Sequence, residues 1–412
     1  MFNKSRMRNT SILYILFTSS CYFHDKIRFL PYTISPSGPS ILFPKEESNR
    51  HIHELNDFNQ VSILELRPLM KENGKLHQDH FRLSYNEKFF AFDQIIDGKR
   101  LLRISDLAQS LSYSINIRSD EKELATSRSD RNIVYSGNLN WSNVSEEFTF
   151  ISSANRHQFK IYIGNIYGHY DYVSANVAKE DFVSWHPTSS EFVYTSSSSG
   201  NGDLYIYNSK NRQHERLTHS PNPDFAAKWT PTGRSIVYTS GDSNNHNIMI
   251  LNRKDGKWSK GIPLIQSQHD EIYPSISPSG SRIAFFKRSQ NSNQWDLYHT
   301  KYSQATPHIY KPELIEKNTL VGRNNNIAWS PDSKYIFFIS AKTKYARPIY
   351  VYDLDKNISY PLNTSNRMNR DLRISPSGIL SFCSQFGPWD RIYLAKTNLK
   401  PVKYRNPNEP IY

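Results

Sequence analysis

The stretch Trp329-Ser330-Pro331-Asp332-Ser333-Lys334-Tyr335-Ile336-Phe337-Phe338-Ile339-Ser340 recurs in varied form along most of the chain. Aligned on Pro331, the other copies have their anchors at Pro36, Tyr85, Asn143, Pro187, Pro231, Pro278 and Pro376, which makes eight copies. Two residues before the anchor stands an apolar side chain in every copy: Ile34, Leu83, Trp141, Trp185, Trp229, Ile276, Trp329 and Ile374. Directly before it is a Ser or Thr in all copies but one, where His186 takes its place. Five and seven residues after the anchor come apolar pairs, among them Phe148/Phe150, Phe192/Tyr194, Ile236/Tyr238, Ile283/Phe285 and Ile336/Phe338. A spacing of two puts both side chains on one face of a strand.

Each copy therefore reads as strand, tight turn, strand. Ser-Pro-Ser-Gly and Ser-Pro-Asp-Ser are turn chemistry, since Pro presets φ, Ser or Asp bonds back to the backbone, and Gly tolerates positive φ. Downstream of each hairpin lies a third β run, such as Leu204-Tyr205-Ile206, Ile248-Met249-Ile250 or Ile349-Tyr350-Val351, and then a weaker fourth, such as Glu215-Arg216-Leu217-Thr218. Four short strands in roughly 45 residues is the arithmetic of a propeller blade. The expected fold class is all-β, a β-propeller of four-stranded blades. Eight hairpins predict eight blades, with seven as the alternative if strands from both ends of the chain share one blade.

A chain of 412 residues would otherwise suggest two or three domains. The repeats outweigh that prior, because one blade cannot bury both faces of its sheet and a run of blades must close on itself. Residues 31–400 are thus expected to form a single propeller and 401–412 a tail, which could supply the final outer strand. The longer connections 57–80, 106–136 and 303–325 are expected to be loops or extended outer strands on the ring surface.

Residues 1–20 differ in kind. Lys4, Arg6 and Arg8 precede the apolar run Ile12-Leu13-Tyr14-Ile15-Leu16-Phe17, and the small residues Thr18-Ser19-Ser20 then lead to Cys21. This is the pattern of an export signal peptide, and the run is too short to span a bilayer as a helix. Its end resembles a bacterial lipoprotein signal, which implies Cys21 as the lipid attachment site. It departs from that pattern in carrying Thr18 where Leu is usual. Residues 21–30 read as a short linker, with Lys26-Ile27-Arg28-Phe29-Leu30 a candidate closing strand. The other cysteine, Cys383, is expected to be a small buried residue, with a bridge to Cys21 as the alternative. Two cysteines make neither a disulfide scaffold nor a CxxC zinc pattern.

The run Trp-Ser-Pro-Asp-Ser-Lys-x-Ile-x-Phe-x-Ser, followed by Ile349-Tyr350-Val351-Tyr352-Asp353, resembles the WD40-like repeats of the TolB-type β-propellers. The resemblance covers roughly residues 30–400, most clearly from the fourth copy on. It implies a periplasmic or outer-membrane location in the bacterial envelope and a non-enzymatic scaffold that binds a protein or peptide. TolB itself has six blades and an extra N-terminal α/β domain, so its cell-division role does not carry over. Related propellers occur in prolyl oligopeptidases, whose catalytic triad sits on a separate hydrolase domain. No G-x-S-x-G elbow is present in this sequence.

The chemistry-bearing residues are few. Asp181, Asp224, Asp270, Glu271 and Asp371 fall five to eight residues before their anchors, where the innermost strands begin and face the channel mouth. They are candidate ligand-binding residues, or solvated channel lining. The alternative function is a glycan-active or metal-dependent enzyme at that mouth, which would need two opposed carboxylates or imidazoles such as His51 and His53. That histidine pair shares a strand face and is a weak metal candidate beside its reading as packed or surface residues. No cofactor is expected, since neither a calcium loop nor a phosphate-binding glycine loop occurs. The net charge of +13 favours anionic lipids or polymers as further partners. Export argues against nucleic acid. Closed propellers protect their edges, so a monomer is expected.

Overall fold

The anchor motif makes a hairpin by the same bonds in every described copy. The backbone N–H before the anchor donates across the turn: Ser84 to Phe89, Ser142 to Glu147, His186 to Glu191, Thr230 to Ser235, Ser277 to Arg282, Ser330 to Tyr335 and Ser375 to Ile379, at 2.8–3.0 Å. The hydroxyl at that position then satisfies the turn. Ser330 Oγ accepts from Lys334 N and Tyr335 N at 3.1 and 2.9 Å. In the exceptional copy, His186 Nδ1 accepts from Thr188 N at 3.1 Å, while Nε2 meets the Gly233 carbonyl at 3.2 Å. Gly233 has φ 69° and a Cβ there would collide with that imidazole, so glycine is required on both counts.

The computed structural model describes residues 60–400 apart from the connections 70–76, 97–98, 107–111, 116–135, 154–158, 175–177, 243–244, 290–292, 304–307, 310, 323–326 and 365–367. The first described strand is β1 (Ile63–Pro68). Six antiparallel blades follow in chain order, each running from the ring axis outward. The first holds β2 (His77–Leu83), β3 (Phe89–Ile96), β4 (Lys99–Asp106) and β5 (Ser112–Ile115). The second holds β6 (Ser136–Trp141), β7 (Glu147–Ser152), β8 (Lys160–Asn165) and β9 (Tyr170–Tyr172), and the third β10 (Glu180–Trp185), β11 (Glu191–Ser196), β12 (Asp203–Asn208) and β13 (Gln213–Arg216).

The fourth blade is β14 (Asp224–Trp229), β15 (Ser235–Gly241) and β16 (His246–Lys254), whose outer partners are the two-residue β17 (Lys257–Trp258) and then β18 (Ile262–Ile265). The fifth repeats that plan with β19 (Glu271–Ile276), β20 (Arg282–Arg288), β21 (Trp295–Ser303), β22 (His308–Ile309) and β23 (Glu313–Glu316). The sixth is β24 (Ile327–Trp329), β25 (Tyr335–Ile339), β26 (Ile349–Asp353) and β27 (Ile358–Pro361).

The last sheet takes three strands from its own repeat, β28 (Asn369–Ile374), β29 (Ile379–Phe386) and β30 (Trp389–Thr397), and its fourth from the start of the described chain. There β1 pairs antiparallel with β30, Leu66 opposite Ala395 and Pro68 opposite Tyr393. The ring therefore has seven blades, not the eight that the hairpin count predicts. The copies anchored from Tyr85 to Pro376 each found one blade, and β1 fills the outer place that an eighth blade would have needed to leave vacant. The copy anchored at Pro36 lies outside the described residues, as does the candidate closing strand at 26–30. The closing strand is instead within the connection 57–80, and it takes the outer position considered for the tail.

Burial follows the two-residue period. Phe192 and Tyr194 of β11 pack with Ile151, Ile161 and Trp185 toward the second blade, whereas Val193 between them packs with Ala227, Trp229 and Ile236 of the fourth. Ile336 and Phe338 likewise face the fifth blade and Phe337 and Ile339 the seventh. The seven apolar clusters are thus the seven seams between blades. The indoles add a repeated tie to the preceding blade: Trp141 Nε1 donates to Arg82 O at 3.3 Å, Trp185 to Asn140 O at 3.0 Å, Trp229 to Ser184 O at 3.1 Å and Trp329 to Ser275 Oγ at 3.2 Å.

The seam that joins the first and seventh blades carries ion pairs beside its apolar cluster of Phe81, Phe90, Phe92, Ile392 and Leu394. Arg82 of β2 forks onto Asp371 of β28 at 2.9 and 3.2 Å, both side chains largely buried. Arg370 bridges Asp79 at 3.4 Å and Asp390 at 2.9 Å, and Asp390 also meets His77 at 3.2 Å. The buried thiol of Cys383 bonds to the Gln78 carbonyl at 3.1 Å, while Cys21 lies outside the described residues. Removing one partner of a buried pair strands the other's charge. Asp371→Ala is therefore expected to lower stability by about 3–5 kcal/mol, read as the shift of the urea midpoint with its slope unchanged. Trp229→Phe, which deletes one indole tie inside an otherwise intact seam, should cost about 1 kcal/mol in the same measurement.

Candidate binding channel

The innermost strands share an irregularity. His80, Asn138, Phe182, Ala226, Tyr273 and Asp371, each five residues before its anchor, have φ between 51° and 57°. The strand register slips there in every case. This is a β-bulge, which bends the strand and re-aims the side chains around it. In the sixth blade the corresponding residue is outside the described part.

Beyond the bulge the strands come together at the axis. Phe182 of the third blade and Tyr273 of the fifth, with a blade between them, have ring centroids 6.2 Å apart, and Phe225 lies 5.8 and 6.0 Å from the two. These three rings crowd one side of the channel, and burial lifts the Tyr273 phenol to about 12. On the other side are the ionic groups of the closing seam. His80 contacts Asp93 at 2.6 Å. Burial alone would lower its pKa, but Asp79, Asp93 and Asp371 outweigh that and raise it.

The five acidic residues singled out in the sequence lie near the leading ends of the innermost strands, on the third, fourth, fifth and seventh blades. Glu271 is fully buried, bonded to Ser267 Oγ and 3.2 Å from Lys287 Nζ. Asp270 accepts from His246 N at 3.0 Å and meets Arg288 at 3.1 Å. Burial pushes its pKa up, but His246 and Arg288 outweigh that and hold it below the usual range. Asp371 is held low in the same way, burial being outweighed by Arg82, His80 and Arg373. Asp181 is buried and accepts from the Phe182 N–H at 2.8 Å. Asp224 is fully buried, and desolvation pushes its carboxyl up to about 6, offset in part by the Ser240 and Thr218 hydroxyls. Asp270, Glu271 and Asp371 each hold a different cation, so the structure distributes these three acids among separate ion pairs. His51 and His53 lie outside the described residues. Among the described residues, no cluster of three or more His, Cys, Asp or Glu is arranged to hold a metal ion.

At the turn end of the innermost strands a cavity of about 280 Å³ opens. Its wall is the same few repeat positions taken from successive blades: Ser184, Lys228 and Ser275 three before the anchor, Trp185, Trp229 and Trp329 two before, and the prolines 187, 231 and 278. Sequence reasoning passed over the position three before the anchor, which reads Arg82, Asn140, Ser184, Lys228, Ser275, Ala328 and Arg373 around the ring. Aligning the copies and reading that column would have revealed its three cations. Its inward aim would have stayed hidden, because the bulge alters the alternation of side chains along the strand.

The family model of the TolB beta propeller domain matches residues 107–307. No protein of curated function gives a significant sequence match. Among solved structures, oligogalacturonate lyase from Vibrio parahaemolyticus superposes with a TM-score of 0.60 at 11% identity, over 80% of this chain and 93% of that one. A puromycin-hydrolyzing peptidase from Mycobacterium tuberculosis gives 0.59 at 9% identity, over 80% of this chain and 52% of that one. TolB from Acinetobacter baumannii is 15% identical, with a TM-score of 0.45, over 68% of this chain and 65% of its own length. At such identities the likeness is one of fold, which many functions share. The repeat motif and the family model over residues 107–307 make that stretch similar to the TolB beta propeller domain, and the seven closed blades extend the propeller fold to the described chain on either side of it.

Proposed function

We propose that the protein is an exported, non-enzymatic propeller of the bacterial envelope that binds a protein or peptide partner at the turn end of its channel. The observation that carries this reading is the cavity built from Ser184, Lys228, Ser275 and the Trp and Pro residues of consecutive blades. Its wall alternates Trp and Pro faces with the polar groups of Ser184, Lys228 and Ser275, and apolar surface with convergent polar groups is the usual make-up of a recognition pocket. In this reading Cys21 carries a lipid that holds a monomeric propeller at the periplasmic or outer-membrane surface, and the basic surface favours anionic lipids or polymers nearby. Asp181, Asp224, Asp270, Glu271 and Asp371 would then belong to the opposite mouth, where their burial and ion pairs suit them to shaping that end rather than to touching the partner.

A glycan-active enzyme is the second reading. It draws on the oligogalacturonate lyase among the neighbours and on the raised carboxyl of Asp224, since acids near neutrality serve proton transfer. Against it, Asp224 has no exposed surface through which a substrate could meet it.

Three outcomes are expected. Expressed with its own leader in a bacterial host, the protein should lose residues 1–20 and gain a diacylglyceryl and an acyl chain on Cys21. Intact mass with detergent-phase partition reads this, and an uncleaved, water-phase product would remove the envelope reading. Ser184→Tyr, which fills the cavity while keeping the backbone carbonyl that Trp229 uses, should abolish retention of the partner that wild type captures from envelope extract. Equal retention by both would exclude this site. For Asp224 the sign runs against folding: an acid whose pKa rises from near 4 to about 6 costs stability progressively between those pH values. Asp224→Asn should accordingly be more stable than wild type at pH 7 by up to about 3 kcal/mol and equal to it near pH 3.5, as followed by urea unfolding at both pH values.

A further inference from the structure

Three cations share the channel at one repeat position: Arg82 of β2 and Arg373 of β28, on the adjoining first and seventh blades, and Lys228 of β14 on the fourth. Arg82 and Arg373 both turn to the Asp371 carboxylate, at 2.9 and 3.9 Å. Lys228 has no hydrogen bond or ion pair among the described residues and lies on the wall of the turn-end cavity. Arg82 also keeps a buried Nε–H without an acceptor among the described residues. Burial, and then the fields of Arg373 and Arg82, push the Lys228 ammonium down to about 8. Like charges gathered in a partly dry channel oppose folding unless something neutralises them.

The polar groups around Lys228 are suited to oxygen ligands. Ser184 and Ser275 line the same cavity as Lys228, and hydroxyls beside an ammonium form a donor set for a carboxylate or phosphate.

We propose that the turn-end cavity is an anion site, in which Lys228, supported by Arg82 and Arg373, receives a carboxylate or phosphate group of a small ligand or of a partner's chain end. This rests on the reading of that cavity as the binding surface, and the two fail separately: partner capture tests the surface, anion titration tests the charge. In the free protein the three cations repel one another. The anion relieves that repulsion as it binds, so it stabilises the fold.

The test is thermal unfolding and calorimetric titration of the mature chain at constant ionic strength with citrate, inorganic phosphate and chloride. Citrate or phosphate is expected to raise Tm saturably and chloride to leave it unchanged; which of the two binds tighter distinguishes a carboxylate ligand from a phosphate one. Lys228→Met should have a higher Tm than wild type without anion and bind it at least about tenfold more weakly. Lys228→Gln should do the same, while Lys210→Met, at an exposed turn of the third blade, should bind like wild type. An adventitious, non-saturable salt effect in wild type, or anion binding unchanged in both Lys228 variants, overturns the site.

Discussion

A four-stranded sheet that is apolar on both faces has to be covered on both, and in this chain the cover is always another blade. The middle strand of each blade shows how strict that requirement is. Alternate residues of Tyr335–Ile339 are buried without exception after the first, and they are shared out between two different seams. A row of such sheets has exposed apolar faces at its two ends until the first and last meet. Ring closure is therefore the condition on which all seven seams depend.

How the ring closes explains both the blade number and the character of the closing seam. β1 joins the last sheet from the other end of the chain, so that opening the ring breaks backbone pairing as well as side-chain contacts. The seam beside it carries Arg82, Asp371, Arg370, Asp79, His77 and Asp390 in place of the indole ties seen at other seams. Ion pairs of this kind add less net stability than apolar packing, but a mismatched partner would leave charges buried and unpaired. The arrangement penalises any other pairing of sheets at the position where the register of the whole ring is decided.

The same charged seam reaches the channel and gives it its asymmetry. Asp371 is at once the partner of Arg82 in the seam and the carboxylate nearest the cations of the channel. The aromatic group formed by Phe182, Phe225 and Tyr273 occupies the opposite side. Structure and binding are thereby coupled, since a ligand that bears on Arg82 also bears on the pair that closes the ring.

Sequence alone determined the kind of fold. A motif with an apolar residue two before the anchor and a pair five and seven after it is a local pattern, set by strand alternation and turn chemistry, and both are readable from nearest neighbours in the chain. The positions of the candidate acids, near the leading ends of the innermost strands, were equally legible. Tertiary structure decided the blade number, because whether a terminal strand makes a blade or completes one depends on a pairing between Ile63–Pro68 and Trp389–Thr397, far apart in sequence. It also decided which polar residues share a space. Lys228 is close to neither Arg82 nor Arg373 in the chain, and a bulge five residues before each anchor alters which side chains the innermost strands turn inward. Both facts arise from closing a ring around an axis, a constraint that no single repeat contains.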